Sequence, residues 1–174
     1  GQGKIRSDLT INLLAGYTYL NSTSLSPDEP YAILDRPINL GGEVIDTLTY
    51  NNNSSDPSVL KYRYTHIAKL DIEMLYKKLS IGGGLRYNDF MKNIDKIFTE
   101  EFVGGDNGMI PGINSARENL TNGDFIIDVR SGYQYNDMIR LGIVINNLLN
   151  REYMSRPADM KPPRTFAIQC NIKI

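Results

Sequence analysis

The sequence predicts an all-β fold: an antiparallel up-and-down meander of about six long strands that forms part of a larger transmembrane β-barrel. Three observations lead to this prediction. Apolar and polar residues alternate with a period of two along six segments of the chain, which places the two sets on opposite faces of a strand. Tight turns and long polar loops alternate between these segments. Aromatic residues collect near the segment ends.

The first predicted strand covers residues 8–21, where apolar side chains occupy every second position from Leu9 to Tyr19. The second, residues 61–77, is the longest and carries its charges, including Asp71 and Glu73, on one face. A helix would distribute these charges around its axis in steps of about 100°. A strand therefore explains the pattern better.

Four further strands are predicted over residues 79–91, 124–135, 138–147 and 164–174. The last of these alternates most regularly. Its apolar register consists of Phe166, Ile168, Cys170, Ile172 and Ile174. One apolar and one polar face is what the wall of an outer-membrane barrel requires.

The connections predict which end of the sheet faces outwards. Residues 77–78 and 136–137 are tight turns, whereas residues 22–60, 92–123 and 148–163 are long loops rich in Asn, Asp, Gly, Ser and Pro. Outer-membrane barrels have short periplasmic turns and longer extracellular loops. We therefore expect the long loops to be extracellular, with a single helical turn within residues 111–119.

The aromatic residues fit the same polarity. The outer rim is expected to contain Tyr17, Tyr19, Tyr62, Tyr64, Tyr87, Phe125 and Phe166, and the inner rim Tyr76, Tyr133 and Tyr135. The strand from Tyr64 to Tyr76 would be roughly 40 Å long, or about 28 Å deep at a tilt of about 45°. An apolar band of about 25 Å fits between the two rims. The alternative is a soluble ligand-binding β-barrel or β-sandwich, in which tyrosines cover the edges of a core.

Composition limits the remaining possibilities. The chain has 174 residues and a net charge of −1, so charge provides no argument for nucleic-acid binding. Its longest apolar stretch, residues 141–145, is too short for a membrane helix. Closed membrane barrels begin at about eight strands. Six strands therefore predict a piece of a larger barrel.

Few residues suggest chemistry of their own. His66 has no Ser or Asp partner at a recognisable spacing, so we predict no enzyme. Asp106 and Asn107 resemble a fragment of a calcium loop, but the terminal glutamate is missing. The glycines at 82–84 lack the Lys-Ser of a phosphate loop, and close packing or a bend explains them better. We predict no cofactor and no metal, and keep Phe102, Asp106 and Asn107 as candidate ligand contacts in a loop.

Residues 144–153, with the sequence Val-Ile-Asn-Asn-Leu-Leu-Asn-Arg-Glu-Tyr, are followed by Arg-Pro at 156–157 and Pro-Arg-Thr-Phe at 163–166. This stretch resembles the C-terminal signature of TonB-dependent outer-membrane receptors, in the form common among Bacteroidetes. The strands upstream are also similar to that family. The motif residues, to which we assign a structural role, are Asn147, Leu148, Leu149, Asn150, Glu152, Tyr153, Arg156, Pro157, Pro163 and Arg164.

The resemblance implies a location and a set of partners. Such receptors reside in the bacterial outer membrane and close a barrel of about 22 strands around an N-terminal plug domain. They import a scarce nutrient, such as an iron chelate, a vitamin, a glycan or a peptide, with energy coupled through TonB. The implied partners are the rest of the barrel, the plug, the TonB complex, outer-membrane lipid and, in some members, a surface lipoprotein.

Two expectations follow for the chain itself. Its polar register carries charges of alternating sign, which would face the plug and form salt bridges with it: Lys69, Asp71, Glu73, Arg86, Asp128, Arg130 and Arg140. Isolated from its barrel, the sheet would expose two edges and a broad apolar face. We therefore expect the isolated chain to self-associate.

Overall fold

The computed structural model describes residues 1–6 and 8–173. The strands in this part of the chain are β1 (Gln2–Arg6), β2 (Leu9–Tyr19), β3 (Ala32–Leu40), β4 (Glu43–Leu48), β5 (His66–Tyr76), β6 (Leu79–Asn88), β7 (Asp124–Gln134), β8 (Ile139–Asn146) and β9 (Thr165–Ile172). Seven of them form one sheet in the order β1-β2-β5-β6-β7-β8-β9, and β3 and β4 form a second. Every pairing in the large sheet is antiparallel. The predicted meander of six strands is thus confirmed as β2 and β5 to β9.

Two predicted strand limits were wrong. The strand predicted over residues 61–77 begins only at His66, so Tyr62 and Tyr64 lie in the preceding loop. Tyr62 has a φ of 58°, a left-handed conformation that interrupts an extended strand. The strand predicted over residues 79–91 ends at Asn88. The last strand is described to Ile172, and Ile174 lies outside the described residues.

The prediction missed three strands. The edge strand β1 is short, and few residues are available to show its alternation. The loop predicted over residues 22–60 contains the β3–β4 hairpin, whose turn is Gly41-Gly42 with φ values of 65° and 86°. A Gly-Gly pair between two apolar segments is a recognised hairpin signal because both turn residues need positive φ. The hairpin could therefore have been found from the sequence.

Short helices occupy the connection between β6 and β7. A 3₁₀ turn covers Lys96–Thr99, followed by α1 (Glu101–Gly104) and α2 (Ile113–Asn119). The helical turn predicted within residues 111–119 is confirmed as α2, which begins after Gly112 at a φ of 86°. Among the described residues, no helix is both long enough and apolar enough to span a membrane.

The aromatic residues lie at two opposite ends of the sheet. Tyr19 is paired with His66 at the end where the long loops leave, and Leu9 is paired with Tyr76 at the end of the tight turns. At the loop end, the Tyr17 hydroxyl lies 2.7 Å from His66 Nδ1. The ring centroids of Tyr87 and Phe125 are 4.5 Å apart at the same end. The pairing confirms that Tyr19 and Tyr76 lie at opposite rims.

The buried apolar residues lie mostly outside the large sheet. They are Leu40, Met91, Ile94, Val103, Ile113 and Ile126. Of these six, which are the buried apolar residues among those whose burial is described, Ile126 belongs to the large sheet and the other five come from the hairpin and the β6–β7 connection. On the apolar face of the sheet, Ile72, Ile143 and Ile168 are 42%, 53% and 86% exposed. The loops thus contain a core, while the sheet is a single uncovered layer.

The register of the last two strands can be tested with one substitution. Cys170 on β9 is paired directly with Leu141 on β8, and directly opposed residues are close enough for a disulfide. Leu141→Cys should therefore form a disulfide with Cys170 on mild oxidation, detected as a changed gel mobility that reduction reverses.

The matched control is Ile143→Cys, because Ile143 is paired with Ile168, two positions before Cys170 in β9. It should remain reduced under the same conditions. Oxidation of Ile143→Cys in preference to Leu141→Cys would show that the β8–β9 register is shifted by two residues.

Candidate functional site

The polar face of the large sheet carries rows of charged residues across β5, β6 and β7. In one row, Asp71, Gly84 and Asp128 lie side by side on the three strands. In the next row, Glu73 and Arg130 flank Gly82 in the same way. In both rows the central strand contributes a glycine. Charged side chains from the two outer strands can therefore meet above the backbone of β6.

Arg130 uses this space. Its Nη1 and Nη2 atoms each lie 2.7 Å from an oxygen of Asp71, which forms a bidentate pair. Its Nε lies 3.9 Å from Glu73 Oε1. Residues two strands apart are separated by about 10 Å, so the arginine has to cross β6. A Cβ at Gly82 would lie 2.8 Å from Arg130 Cζ. Close packing is therefore confirmed as a reason for glycine at this position.

A second arginine makes the same kind of crossing. Arg140 on β8 donates from Nη2 to Ser80 Oγ on β6 at 2.8 Å. The strand between them contributes Gly132, where a Cβ would lie 2.7 Å from Ser80 Oγ and 3.0 Å from Arg140 Nη2. The sequence suggested the charges and the glycines separately. The relation between them appears only once three strands are in register.

These ion pairs form within the sheet. Besides the Arg130 contacts, Arg86 Nη2 lies 3.0 Å from Asp128 Oδ2. Pairing of the charged face with a plug stays a prediction; within the wall itself, Asp71 and Asp128 pair with arginines. The side chains of Arg86 and Arg130 are 45% and 36% exposed. Such pairs contribute at most about 1 kcal/mol each in water.

The long loops at one end of the sheet are ordered by buried polar residues. Asn93 is fully buried, and its Nδ2 donates to the Val59 carbonyl at 2.6 Å and to the Tyr50 hydroxyl at 2.9 Å. Its Oδ1 accepts from the Asp56 backbone N–H at 3.2 Å. A buried amide with satisfied donors and acceptor ties its neighbours together. Asn93 thus connects the loop before β5 to the loop after β6.

Asp95 forms a second connection between the same loops. It accepts hydrogen bonds from Lys61 Nζ at 2.7 Å and from the Tyr62 hydroxyl at 2.5 Å. Burial, followed by the hydrogen bond to Asp95, raises the pKa of Tyr62 from 10.0 to about 12. Tyr62 therefore belongs to this loop cluster, which explains why it leaves the strand.

The connection from β8 to β9 contains the motif residues. Asn147 is buried with a φ of 50°, a conformation that Asn tolerates better than most residues. Its Nδ2 donates to the Arg151 carbonyl at 2.8 Å, and its backbone N–H donates to Asp128 Oδ1 at 2.8 Å. Asn150, with a φ of 51°, accepts from the Arg164 backbone N–H at 2.8 Å. These contacts order the start of the loop and join it to β9.

The other motif residues surround this connection. The Leu148 backbone N–H donates to the Ile127 carbonyl at 2.7 Å, and the Arg156 guanidinium lies 5.7 Å from the centre of the Tyr62 ring. Leu149 and Glu152 are exposed. The remaining positions, in or beside the β8–β9 loop, are Tyr153, Pro157, Pro163 and Arg164.

The three candidate ligand contacts lie in the connection between β6 and β7. Phe102, in α1, is 61% exposed. Asp106 is exposed and accepts from Ser115 Oγ at 2.9 Å, and Asn107 is exposed beside it. Within the described residues, no group of three or more His, Cys, Asp or Glu side chains is arranged to hold a metal ion.

A cleft that no sequence motif indicates lies beside α2. One wall is formed by residues 110–120, which include α2, and the other by residues 152–160, around a volume of about 360 Å³. The lining is mostly apolar and includes Ile113, Ala116, Leu120, Tyr153, Met154 and Met160. A smaller cavity of about 70 Å³ shares part of this lining and also contacts Phe90 and Arg117. Only the packing of two separate loops creates these spaces, so no sequence motif predicts them.

Comparison with known proteins identifies the fold. No family model matches the sequence, and no curated protein matches it. Among solved structures, the chain is similar to the ferric-catecholate import receptor Fiu of E. coli K12 (TM-score 0.57, 19% identity) and to the siderophore receptor PiuA of Acinetobacter baumannii (TM-score 0.54, 19% identity). The matches cover 98% of this chain but only 19% and 20% of those chains. The chain thus has the fold of about a fifth of such a receptor.

The crossing of β6 by Arg130 predicts unequal effects at neighbouring glycines. Gly82→Ala should displace the guanidinium from Asp71 and lower the free energy of unfolding by about 0.5–1 kcal/mol. Gly83→Ala is the matched control, because its Cβ would lie an ordinary 3.6 Å from the nearest atom, the Asp128 carbonyl oxygen. Urea unfolding of the folded protein would measure both.

The same measurement in an Arg130→Ala background supplies a further control. In that background, Gly82→Ala should lower the free energy of unfolding no more than Gly83→Ala does, because the Arg130 side chain that occupied the space above residue 82 is absent. Equal effects of the two substitutions in the parent protein would contradict the crossing.

The raised pKa of Tyr62 makes the stability of the fold depend on pH. The fold favours the neutral phenol, so the contribution of this group to stability is complete below pH 10 and is lost as the pH rises towards about 12. Asp95→Asn should lower the pKa but keep it above 10.0, since burial, the largest cause, remains. Titration of ¹³C-labelled tyrosine, with the signal assigned by Tyr62→Phe, would measure this. A Tyr62 signal that titrates near pH 10 in the parent protein would contradict the raised pKa.

Proposed function

We propose that this chain is the C-terminal barrel-wall and extracellular-loop segment of an outer-membrane active transporter that imports a scarce nutrient. The observation that carries the proposal is the single-layer sheet with one apolar and one charged face. Exposed apolar side chains such as Ile143 and Ile168 are costly in water but favourable against lipid acyl chains. The charged face would then line a polar interior.

The long loops support the same proposal. They emerge from one end of the sheet, where Asn93 and Asp95 join the loop before β5 to the loop after β6, while the opposite end carries short turns at residues 77–78 and 135–138. Barrels of the outer membrane have this asymmetry, with loops on the extracellular side. A preformed loop cluster on that side is suited to capturing a nutrient.

The alternative of a soluble ligand-binding β-barrel or sandwich requires a layer that covers the apolar face. Among the described residues, the apolar face of the large sheet has no second layer against it, and its side chains are largely exposed. The small β3–β4 sheet belongs to the loop end. We therefore favour the membrane wall.

Several finer parts of the proposal rest on the resemblance of residues 144–166 to the receptor signature. They are the Bacteroidetes type, closure into a barrel of about 22 strands, a plug domain, coupling through TonB and a surface lipoprotein partner. Self-association of the isolated chain is proposed on a different ground, the two sheet edges and the broad apolar face. An iron chelate is one of the cargo classes proposed, together with a vitamin, a glycan or a peptide. The names of the two similar receptors are in line with the first of these.

The inside-outside assignment can be tested at the centre of the wall. Ile143→Arg on the apolar face should reduce the stability of the assembled barrel by about 2–4 kcal/mol, because the charge would face the bilayer midplane. Ala167→Arg is the matched control, since Ala167 follows the polar register of β9 and is paired with Val144. The folded fraction in outer-membrane preparations, detected by its heat-modifiable gel mobility, would report both.

Loop substitutions should separate assembly from uptake. Asp106→Ala and Phe102→Ala lie outside the wall and should leave the folded fraction unchanged, while weakening uptake if that loop contacts the cargo. If Ile143→Arg assembles as well as the parent, our assignment of the apolar face to lipid is wrong.

A further inference from the structure

The cleft beside α2, which we call the α2 cleft, has walls that are fixed separately. It is lined on one side by Ile113, Ala116 and Leu120 and on the other by Tyr153, Met154 and Met160. The first three are spaced at i, i+3 and i+7, which places them on one face of α2 and its continuation. The cleft is therefore a feature of two folded segments rather than a gap left by one irregular loop.

Several contacts hold the α2 wall. Arg117 donates to the Met91 and Lys92 carbonyls at 2.9 Å each and lies 4.7 Å from the centre of the Phe90 ring. At the preceding turn, Asn114 Nδ2 donates to the Thr99 carbonyl at 3.3 Å. These bonds fix α2 to the loop core independently of the second wall.

The second wall is held by its own turn. Met154 and Met160 form an antiparallel bridge, and the Lys161 backbone N–H donates to the Tyr153 carbonyl at 3.0 Å. Asp159 accepts from Ser155 Oγ and from Lys161 Nζ, the latter at 2.8 Å. These hydrogen bonds hold the pKa of the Asp159 carboxyl below its usual value, the one to Lys161 more than the one to Ser155. Preformed walls reduce the entropy lost on binding.

The size and lining of the cleft indicate what it can hold. Its volume of about 360 Å³ lies at the lower end of the range of ligand pockets, about 300–1,000 Å³. Among the described residues that line it, Glu152 is the one carboxylate, and no Lys or Arg is present. Methionine sulfur contacts the edges of aromatic rings favourably, and its flexible side chain adapts to varied shapes. Met160 is nevertheless 58% exposed, and exposed apolar surface of this kind often marks a binding site.

We propose that the α2 cleft binds an uncharged aromatic group of a small molecule. The ring lies between Ala116 on one wall and the two methionines on the other. Glu152 at the rim disfavours an anionic group. This inference rests on the proposed function only in placing the cleft on the outer surface of a larger receptor, and it does not require the molecule to be the imported cargo.

Methionine-methyl NMR of the complete receptor, folded in detergent and titrated with indole, tests the proposal. Indole is uncharged, aromatic and soluble enough in water to reach saturation. The Met154 and Met160 methyl signals should shift together along one saturable curve. The Met138 methyl, at the tight-turn end and 57% exposed, reports indole that merely partitions into the micelle. The Met138 signal should not follow the saturable curve of Met154 and Met160.

Two variants make the result specific. Ala116→Phe fills the cleft and should weaken indole binding at least tenfold, whereas Met109→Ala, at an exposed position outside the lining, should leave it unchanged. If Ala116→Phe fails to fold, Met160→Glu at the exposed wall serves the same purpose and should also weaken binding at least tenfold.

The proposal is overturned if the Met154 and Met160 shifts are absent, if they do not saturate, or if the filled variants bind indole as well as the parent. It is also overturned if a soluble gadolinium chelate fails to broaden the Met160 signal without indole, because another loop of the receptor would then occupy the cleft. All of these readings are taken on folded receptor. They therefore remain distinct from a failure of membrane assembly or of uptake, which the Ile143→Arg and uptake measurements detect.

Discussion

The structure depends above all on the backbone hydrogen bonds of one continuous sheet. Seven strands satisfy one another's N–H and C=O groups laterally, so the sheet needs no second layer to pair its backbone. In lipid, where unpaired backbone groups are costly, this is the condition for a strand to cross at all. The side chains are then free to meet a different medium on each face. The period-two alternation, the exposed isoleucines and the charged wall all follow from this condition.

Because the sheet is one layer thick, the stability of the chain is divided between two kinds of structure. The wall is held by its hydrogen-bond ladders and by lateral pairs such as Arg130 with Asp71. The loops are held as a small globular protein is, by buried side chains such as Ile94 and by the satisfied amide of Asn93. Substitutions in one part should therefore have limited effects on the other.

The sequence predicted the wall well and the loops poorly, for physical reasons. A strand with a different medium on each face repeats every two residues, and that period is visible over β2 and β5 to β9 without any tertiary information. The loop core has no period. The pairing of Asn93 with Tyr50 and the position of Tyr62 depend on contacts across 30 or more residues. The α2 cleft could not be predicted from the sequence either, since its two walls come from different connections.

The crossing of β6 by Arg130 also bears on how such a wall can evolve. The guanidinium occupies the space that a side chain at residue 82 would need. A lineage that replaces Gly82 displaces the Arg130 guanidinium from Asp71, and a shorter side chain at residue 130 removes that cost. The two positions lie 48 residues apart in the chain but are neighbours in the sheet. Their substitution histories should therefore be correlated.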